Sequence, residues 1–246
     1  MADLSWQEAF DVVKPHVVKI VTPQGSGTGF LIAHAKSKNL CGVATAAHVV
    51  SHAHYWEELF RIEHYQSKQS LIVRPAERAI LIDEEKDTAA IVFNKGNIPF
   101  SDTVLNLIPK GKFVRVGVEL GWLGFPVIAP SDLCFFTGRT SCWASAHRSY
   151  LIDGVAINGV SGGPTFVVEK AGVLVIGVVS AYIPSQTMAG TLPGLCVVRD
   201  VSQFQNLIPT FENLDEAKEG EVPSSQGPPQ TTQEPEKDQQ TPNKTL

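Results

Sequence analysis

The sequence predicts an all-β fold, because short β-branched runs recur along its 246 residues with turn-forming residues between them. Twenty glycines and sixteen prolines suit strands joined by tight turns better than they suit long helices. The turn signals return about every eight to twelve residues, which is typical of a β-sandwich or barrel and not of alternating strands and helices. Hydrophobic residues make up 43% of the chain, enough to fill a core of this kind.

The individual elements follow this pattern from the N-terminus onward. Ser5 and Glu8 have the spacing of a capping box, which predicts a short helix that ends before Pro15. Segment 54–65 fits either a helix or an excursion of strand and loop, and segment 100–112 is the expected joint between two β halves. The predicted strands are the apolar runs 17–22, 29–33, 40–46, 71–76, 79–83, 88–93, 113–125, 150–157, 165–169, 173–181 and 195–201.

The composition changes at about residue 213. Beyond that point the chain is rich in Pro, Gln, Thr and Glu and holds few apolar residues. Such sequence cannot offset the entropy lost on ordering, so residues 213–246 are predicted to form a disordered polar tail. Residues 1–212 are therefore expected to contain the folded part of the protein.

Charge and composition argue against several classes of partner. The net charge is −5 and the chain has no Lys/Arg cluster, so a nucleic-acid partner is not expected. Asp3, Glu8 and Asp11 stand where a secretory signal needs basic residues, and no run approaches the roughly 18 apolar residues of a membrane span. We therefore expect an intracellular, cytoplasmic protein without a membrane partner. In that compartment the four cysteines are expected to be free thiols: Cys41, Cys134, Cys142 and Cys196.

Three segments carry residues with catalytic potential. His48 ends the run TAAH and precedes VVSHA, an expected single helical turn; Asp87 precedes TAAIVF; and Ser161 lies in the glycine-rich run NGVSGGP. An imidazole can accept a proton from an attacking serine near neutral pH, and a carboxylate can hold the imidazole in the required tautomer. The three residues are therefore the candidate general base, orienting acid and nucleophile.

The glycines around Ser161 address a further need of acyl transfer, which is a pair of donors for the developing oxyanion. Without a Cβ atom, Gly159, Gly162 and Gly163 allow the backbone to bend sharply and to present two amides at one point. In the usual geometry of such sites, these donors are the N–H groups of Gly159 and Ser161.

Together these motifs resemble the trypsin/chymotrypsin clan of serine peptidases, and in particular its HtrA (DegP-like) branch. The resemblance covers about residues 15–210 and rests on TAAH, on the D-T-A-A segment from Asp87 and on G-V-S-G-G-P around Ser161. It implies a trypsin-like peptidase domain at 1–212, made of two antiparallel Greek-key β-barrels at about 16–100 and 111–210. The implied function is a serine endopeptidase that acts on polypeptides through an acyl-enzyme, with His48 as base, Asp87 as orienting acid and Ser161 as nucleophile.

The chain also departs from its apparent relatives at two points. Val160 stands where secreted trypsin-like enzymes carry an aspartate, and the chain lacks their Ile-Val-Gly-Gly start. Activation by cleavage at the N-terminus is therefore not expected. HtrA proteins continue into a PDZ domain after the protease, whereas this sequence continues into the polar tail, so PDZ regulation is not carried over.

The resemblance also implies a substrate pocket. Its floor, six residues before the nucleophile, falls at Val155, and Asp153 is expected to be a loop or rim charge. Ser180, Ala181 and Tyr182 fall on the strand that binds substrate backbone. An apolar floor and a bulky tyrosine imply a shallow pocket that prefers small or aliphatic residues at P1, the residue before the scissile bond.

Alternative interpretations are weaker. The G-x-S-x-G elbow of α/β-hydrolases needs a histidine after the serine, and the last histidine here, His147, precedes Ser161. His52, His54 and His64 lack the spacing of metal ligands, so neither a metal nor a cofactor is expected. A catalytically latent protease-fold binding module, which needs a partner to order its oxyanion loop, stays open as an alternative. The oligomeric state also stays open.

Overall fold

The computed structural model describes residues 4–35, 39–187, 190–207 and 210, and the predicted all-β class is confirmed. Its described strands form two seven-stranded sheets, which are accompanied by a short N-terminal helix. The predicted tail at 213–246 lies outside the described residues.

The first sheet is an open half-barrel. Its strands follow the order β5-β4-β1-β2-β3-β7-β6, all neighbours are antiparallel, and no pairing among the described residues joins β5 to β6. The strands are β1 (Val17–Thr22), β2 (Gly25–His34), β3 (Leu40–Thr45), β4 (Phe60–His64), β5 (Ser70–Val73), β6 (Arg78–Asp83) and β7 (Thr88–Asn94).

The second sheet closes into a six-stranded antiparallel barrel. The order β12-β9-β10-β11-β14-β13 closes through pairing of β13 with β12, and β8 adds to β13 in parallel. The strands are β8 (Asn106–Leu107), β9 (Glu119–Gly124), β10 (Cys134–Ala144), β11 (Ser149–Asp153), β12 (Pro164–Glu169), β13 (Gly172–Thr187) and β14 (Gly190–Asp200).

The N-terminal helix α1 spans Trp6–Val13 and has the predicted capping box. The Glu8 N–H donates to Ser5 Oγ at 3.3 Å, and the Ser5 N–H donates to the Glu8 carboxylate at 2.7 Å. The helix ends before Pro15, as predicted. Trp6 packs against Phe135 and so attaches the helix to the second barrel. Short 3-10 helices occur at Lys14–His16, Pro75–Glu77, Ser145–His147 and Ser202–Asn206.

A second helix, α2, spans Ala47–Tyr55 and is longer than the single turn expected after His48. Ala47, Val50 and Ala53 are buried at a spacing of three residues, so one face of the helix packs on the first sheet and stabilises the extra turn. The ambiguous segment 54–65 is therefore the end of α2, a turn and β4. With eight and nine residues, neither α-helix of the described chain is long enough to cross a bilayer.

One hydrophobic cluster joins the two sheets. Phe30 and Ala44 of the first sheet belong to the same buried cluster as Trp122 and Phe166 of the second. Burial of large side chains stabilises by about 1.5–3 kcal/mol each, so this cluster resists separation of the two sheets. Side chains of the first sheet are therefore held at a defined distance from those of the second.

All four cysteines are free thiols in the structure. Cys134 and Cys142 are the pair closest in sequence, but both belong to β10, an extended strand. Eight residues of extended strand span about 26 Å, whereas a disulfide requires Cα atoms within about 7 Å. Cys41 and Cys196 are buried, and burial raises the pKa of Cys196 to about 12, which keeps that thiol protonated.

Two histidines are buried between the N-terminal segment and the first sheet. His16 is only 4% exposed, and burial, reinforced by the nearby His34 and His64, lowers the pKa of His16 to about 4. Burial also lowers the pKa of His64, although a hydrogen bond to the Pro15 carbonyl opposes this effect. The folded protein therefore keeps His16 neutral at a pH where an unfolded chain would protonate it.

We expect the protein to lose stability as the pH falls from about 6.5 to 4. In this window the unfolded chain binds a proton at residue 16 that the folded protein does not bind, so the free energy of unfolding decreases by about 2 kcal/mol near pH 5. Urea unfolding at pH 7 and pH 5 measures the loss, and His16→Gln should reduce it. The exposed-site control His147→Gln should keep it. An equal loss in His16→Gln and the wild type would contradict this assignment.

Candidate active site

Neighbouring strands of the first sheet bring His48 and Asp87 together. His48 follows β3 at the start of α2, Asp87 immediately precedes β7, and β3 pairs with β7 through Thr45 and Ala89. The His48 Nδ1 atom lies 3.0 Å from each carboxylate oxygen of Asp87, and the His48 backbone N–H donates to Oδ1 at 3.0 Å. Asp87 has a φ of +47°, a left-handed conformation that aspartate tolerates better than most residues. This turn directs its carboxylate to the start of α2.

Ser180 of β13 supplies a further donor to Asp87 from the second sheet. Its hydroxyl donates to Asp87 Oδ2 at 2.5 Å. Burial raises the pKa of Asp87, but the hydrogen bonds from His48 and Ser180 outweigh burial and hold that pKa below its usual value. Asp87 is thus a partly buried carboxylate kept ionised by its donors.

This pairing prepares His48 to act as a base. An ionised carboxylate can only accept, so the Nδ1 atom of a neutral His48 carries the proton and Nε2 keeps its lone pair. The His48 side chain is 51% exposed, and no described protein group is hydrogen-bonded to Nε2. The ring nitrogen that would accept a proton is therefore accessible.

Ser161 lies between β11 and β12, next to the same serine that binds Asp87. Its hydroxyl donates to the Ser180 carbonyl at 3.4 Å, and its own carbonyl accepts the Thr28 N–H at 2.8 Å. Ser180 thus contacts both Asp87 and Ser161. Among the described side chains, no hydrogen bond joins Ser161 Oγ to His48, and the Ser180 carbonyl is the described partner of the Ser161 hydroxyl.

The loop before Ser161 forms a tight turn around Gly159. The Val160 N–H donates to the Ile157 carbonyl at 3.0 Å and Gly159 has a φ of +92°, as in a type II turn with glycine at its third position. The Val127 N–H holds the Asn158 carbonyl at 2.8 Å. Because the peptide is trans, the Gly159 N–H points in the opposite direction.

The amides of Gly159 and Ser161 have no protein acceptor among the described residues, so both can donate to a bound oxyanion. Only glycine fits the turn at position 159, because an added Cβ would lie 2.2 Å from the Phe125 carbonyl oxygen. The same holds for Gly162, where a Cβ would lie 1.9 Å from the Thr28 carbonyl oxygen. The glycines therefore permit close backbone approach as well as the bend.

The residues assigned to substrate binding lie in the loop after β11 and on β13. Val155 is 46% exposed in the loop after β11, and Ala181 is exposed on β13 next to the buried Ser180. The Tyr182 hydroxyl accepts the Gly194 N–H at 2.8 Å, so its side chain reaches from β13 across to β14. Asp153 is exposed at the end of β11.

Sequence reasoning misses two features of this site. It assigns Ser180 to substrate binding alone, whereas the Ser180 hydroxyl also binds Asp87. It does not single out Thr28, although the Thr28 hydroxyl donates to the Gly159 carbonyl at 2.8 Å. The run GSGTGF around Thr28 is the only signal, and a threonine between glycines is equally typical of an ordinary hairpin strand.

Two of the histidines weighed as metal ligands, His52 and His64, are hydrogen-bonded to protein groups. The His52 Nδ1 atom lies 3.0 Å from the Glu58 carboxylate, and His64 is hydrogen-bonded to Ser67 and to the Pro15 carbonyl. In the part of the chain that the structure describes, no group of three or more His, Cys, Asp or Glu residues is arranged to hold a metal ion.

We expect Ser180→Ala to raise the pKa of Asp87, because the partly buried carboxylate loses one donor. A carboxylate with a lowered pKa stabilises the fold above pH 4, and this contribution is lost as the pH falls through the folded value. The variant should therefore be less stable than the wild type at pH 7, with a difference that shrinks below about pH 4. Carboxyl ¹³C NMR titration measures the pKa directly.

Ser202→Ala is the matched control for this experiment. Ser202 is buried, and its hydroxyl donates to a different carboxylate, that of Asp200, at 2.8 Å. This substitution should leave the Asp87 titration unchanged. If Ser180→Ala also leaves it unchanged, the Ser180 hydroxyl does not stabilise the ionised form of Asp87.

Comparisons with known proteins identify the fold. No protein-family profile and no curated protein sequence match the chain. The Rv3671c protease in its inactive form superposes with a TM-score of 0.57 at 18% identity, over 86% of this chain and 98% of that one. An inactive form of an Rv3671c mutant from M. tuberculosis H37Rv gives 0.56 at 17% identity, over 91% and 97%. The serine endoprotease from Yersinia pestis gives 0.62 at 15% identity, over 87% and 68%. The chain therefore has the two-sheet fold of trypsin-like serine proteases.

Proposed function

We propose that the protein is a serine endopeptidase that cleaves polypeptides through an acyl-enzyme on Ser161. The observation that carries this proposal is the arrangement around Ser180, whose hydroxyl binds Asp87 and whose carbonyl binds Ser161. His48 is held on Asp87 with Nε2 accessible. These contacts support a site that assembles a base, its orienting acid, a hydroxyl and two available amides, which are the groups that acyl transfer requires.

The first half of the reaction begins with a rotation of the Ser161 side chain. Its hydrogen bond to Ser180 is long at 3.4 Å, so exchange for a bond to His48 Nε2 costs little. His48 takes the hydroxyl proton as Oγ attacks the scissile carbonyl carbon, and the carbonyl oxygen becomes an oxyanion. His48 then gives this proton to the leaving amine, which departs as the acyl–Ser161 ester forms.

The second half repeats these steps with water. His48 takes a proton from water, the resulting hydroxide attacks the ester, and His48 returns the proton to Ser161 Oγ as the acid product leaves. Asp87 keeps its charge throughout and stabilises the imidazolium that forms twice in each cycle. The Gly159 and Ser161 amides stabilise both oxyanions, and loss of one such donor costs about 3 kcal/mol of transition-state stabilisation.

The free edge of β13 supports substrate binding by strand addition. Pairing of β12 with β13 ends at Pro164 and Val178, while β14 pairs with the opposite edge of β13. Among the described residues, no strand therefore covers this edge at 180–182, where an extended peptide can add its backbone hydrogen bonds. We assign Ser180, Ala181 and Tyr182 to this contact.

The pocket residues support a preference for small or aliphatic P1 side chains. Val155 offers no charge at the assigned floor, and Tyr182 reaches across to Gly194 on β14, which limits the depth available. A buried Lys or Arg side chain without a carboxylate partner is costly. Val, Ala, Ile and Leu at P1 avoid that cost.

The latent binding module is the second candidate, and the missing Ser161–His48 hydrogen bond is the observation in its favour. The turn at Gly159 argues for the enzyme. The Val127 N–H binds the Asn158 carbonyl, so the Gly159 amide on the other side of the same peptide is left available to donate. A latent site would leave Ser161 unreactive towards a fluorophosphonate, which only an activated serine attacks quickly.

Replacing Ser161 with alanine should abolish peptide hydrolysis, by at least about a thousandfold, because the nucleophile is lost. The fold should be unaffected, since one partly buried oxygen with a single long hydrogen bond is removed. Cleavage of a denatured protein and fluorophosphonate labelling, located by mass spectrometry, measure the effect. Ser145→Ala, at an exposed serine outside the site, is the control. Near wild-type turnover in Ser161→Ala would refute the mechanism.

Matched peptides that differ only at P1 should be cleaved faster with Val or Ala than with Arg or Lys. An apolar pocket discriminates by about 1–3 kcal/mol per methylene, so selectivity among aliphatic residues should be modest. The values of kcat/KM across the series measure this preference. A tenfold advantage for Arg or Lys would show that the assigned pocket is wrong and would direct attention to Asp153.

A further inference from the structure

Thr28 of β2 is a fully buried threonine whose polar groups contact the loops that build the candidate active site. Its hydroxyl donates to the Gly159 carbonyl at 2.8 Å and accepts the Phe125 N–H at 3.1 Å. Its backbone N–H donates to the Ser161 carbonyl at 2.8 Å. One residue of the first sheet thus holds three backbone groups of the second half of the chain.

Two hydrogen bonds fix the orientation of the Thr28 hydroxyl. A hydroxyl has a single hydrogen, and acceptance from the Phe125 N–H occupies a lone pair while this hydrogen is directed to Gly159. Both partners are backbone groups 97 and 131 residues away in sequence. Because these atoms are buried, a side chain of equal size without the hydroxyl would leave a donor and an acceptor unsatisfied, at about 1–3 kcal/mol each.

These contacts control the conformation of Gly159. The φ and ψ angles of a residue describe how the two flanking peptide planes are oriented, and glycine populates positive and negative φ about equally. One plane is held by the Val127 N–H at the Asn158 carbonyl. The other is held at both ends, by Thr28 at the Gly159 carbonyl and by the Val160 N–H, which donates to the Ile157 carbonyl. These bonds accompany a φ of +92° at Gly159.

We propose that Thr28 is a positioning residue, whose hydroxyl keeps the Gly159 amide directed at the oxyanion. The inference rests on the proposed peptidase function. It adds a contact that joins the first sheet to the loop at Gly159. Without the hydroxyl, the Gly159 carbonyl loses its partner and the bond from the Val160 N–H to the Ile157 carbonyl is the remaining described contact on the Gly159–Val160 peptide plane. The turn is then less constrained, and the Gly159 amide spends less time in the productive direction. The transition state is then stabilised less, while the edge of β13 that holds the substrate is unaltered.

The test compares Thr28→Val, which keeps the shape, with Thr28→Ser, which keeps the hydroxyl. Thr140→Val is the matched control, because the Thr140 hydroxyl is also buried and has no hydrogen-bond partner among the described residues. With a chromogenic peptide that ends in Val, Thr28→Val should lower kcat about 10–100-fold with KM within about threefold. Thr28→Ser should stay within about threefold of the wild type, and Thr140→Val should match it.

A second measurement reports on the conformation of the loop around Gly159 independently of catalysis. Amide hydrogen exchange followed by NMR should speed up at least about tenfold at Phe125 and Val160 in Thr28→Val, but not in Thr28→Ser or Thr140→Val. This separates the two claims. If the wild type neither cleaves nor reacts with a fluorophosphonate but exchange changes as expected, the peptidase function fails and the role of Thr28 in the loop stands.

The remaining outcomes overturn the positioning role. They are unchanged kcat and exchange in Thr28→Val, or a rise in KM that accounts for the whole loss of kcat/KM. If Thr28→Val does not fold, Thr28→Cys, which carries a weaker donor of similar size, takes its place and should fall between Ser and Val in kcat. Equal kcat in Thr28→Cys and Thr28→Ser, or failure of both Thr28→Val and Thr28→Cys to fold, would show that Thr28 contributes to stability alone.

Discussion

The contact between the Asp87 carboxylate and its donors is the interaction on which the site depends. A carboxylate that is largely removed from water is costly unless hydrogen bonds satisfy it, and here the donors come from both halves of the fold: His48 from α2 and Ser180 from β13. The two sheets must therefore approach to a fixed distance for Asp87 to stay ionised. Ser180 also accepts a hydrogen bond from the Ser161 hydroxyl, so this one residue contacts both Asp87 and Ser161.

A second set of contacts fixes the oxyanion loop against this frame. The loop contains glycines that would be flexible by themselves, so its shape depends on its neighbours: Val127 holds one carbonyl and Thr28 holds the next. The buried hydrophobic cluster shared by both sheets stabilises the arrangement in which these hydrogen bonds form. The candidate site thus combines a carboxylate and a loop that are each held by several hydrogen bonds with a serine side chain that makes one long hydrogen bond.

Local patterns in the sequence predict a large part of this arrangement. Alternating β-branched runs and turn residues predict the all-β class, and the spacing of Ser5 and Glu8 predicts the first helix, because each signal arises from neighbours along the chain. The order of His48, Asp87 and Ser161, together with the glycines around Ser161, predicts which residues to examine. The expected single turn after His48 is too short, because the rest of α2 depends on packing of Val50 and Ala53 against the sheet.

Contacts between distant segments are beyond the reach of local sequence patterns. The Thr28 hydroxyl bonds to Gly159 across 131 residues, and Tyr182 reaches Gly194 on another strand. Nothing in the local pattern at either end indicates its partner. The same limit applies to the first sheet, whose open edge between β5 and β6 depends on which strands pair rather than on which residues form strands.

A crystal structure of the protein after reaction with a peptidyl phosphonate tests the central claim most directly. The account predicts phosphorus bonded to Ser161 Oγ, with one phosphonyl oxygen about 2.7–3.1 Å from both the Gly159 and the Ser161 amide nitrogens. It also predicts His48 Nε2 within hydrogen-bond distance of Ser161 Oγ or of the oxygen that replaces the leaving group. Phosphorus on another residue, or a phosphonyl oxygen directed away from the Gly159 amide, would contradict the account.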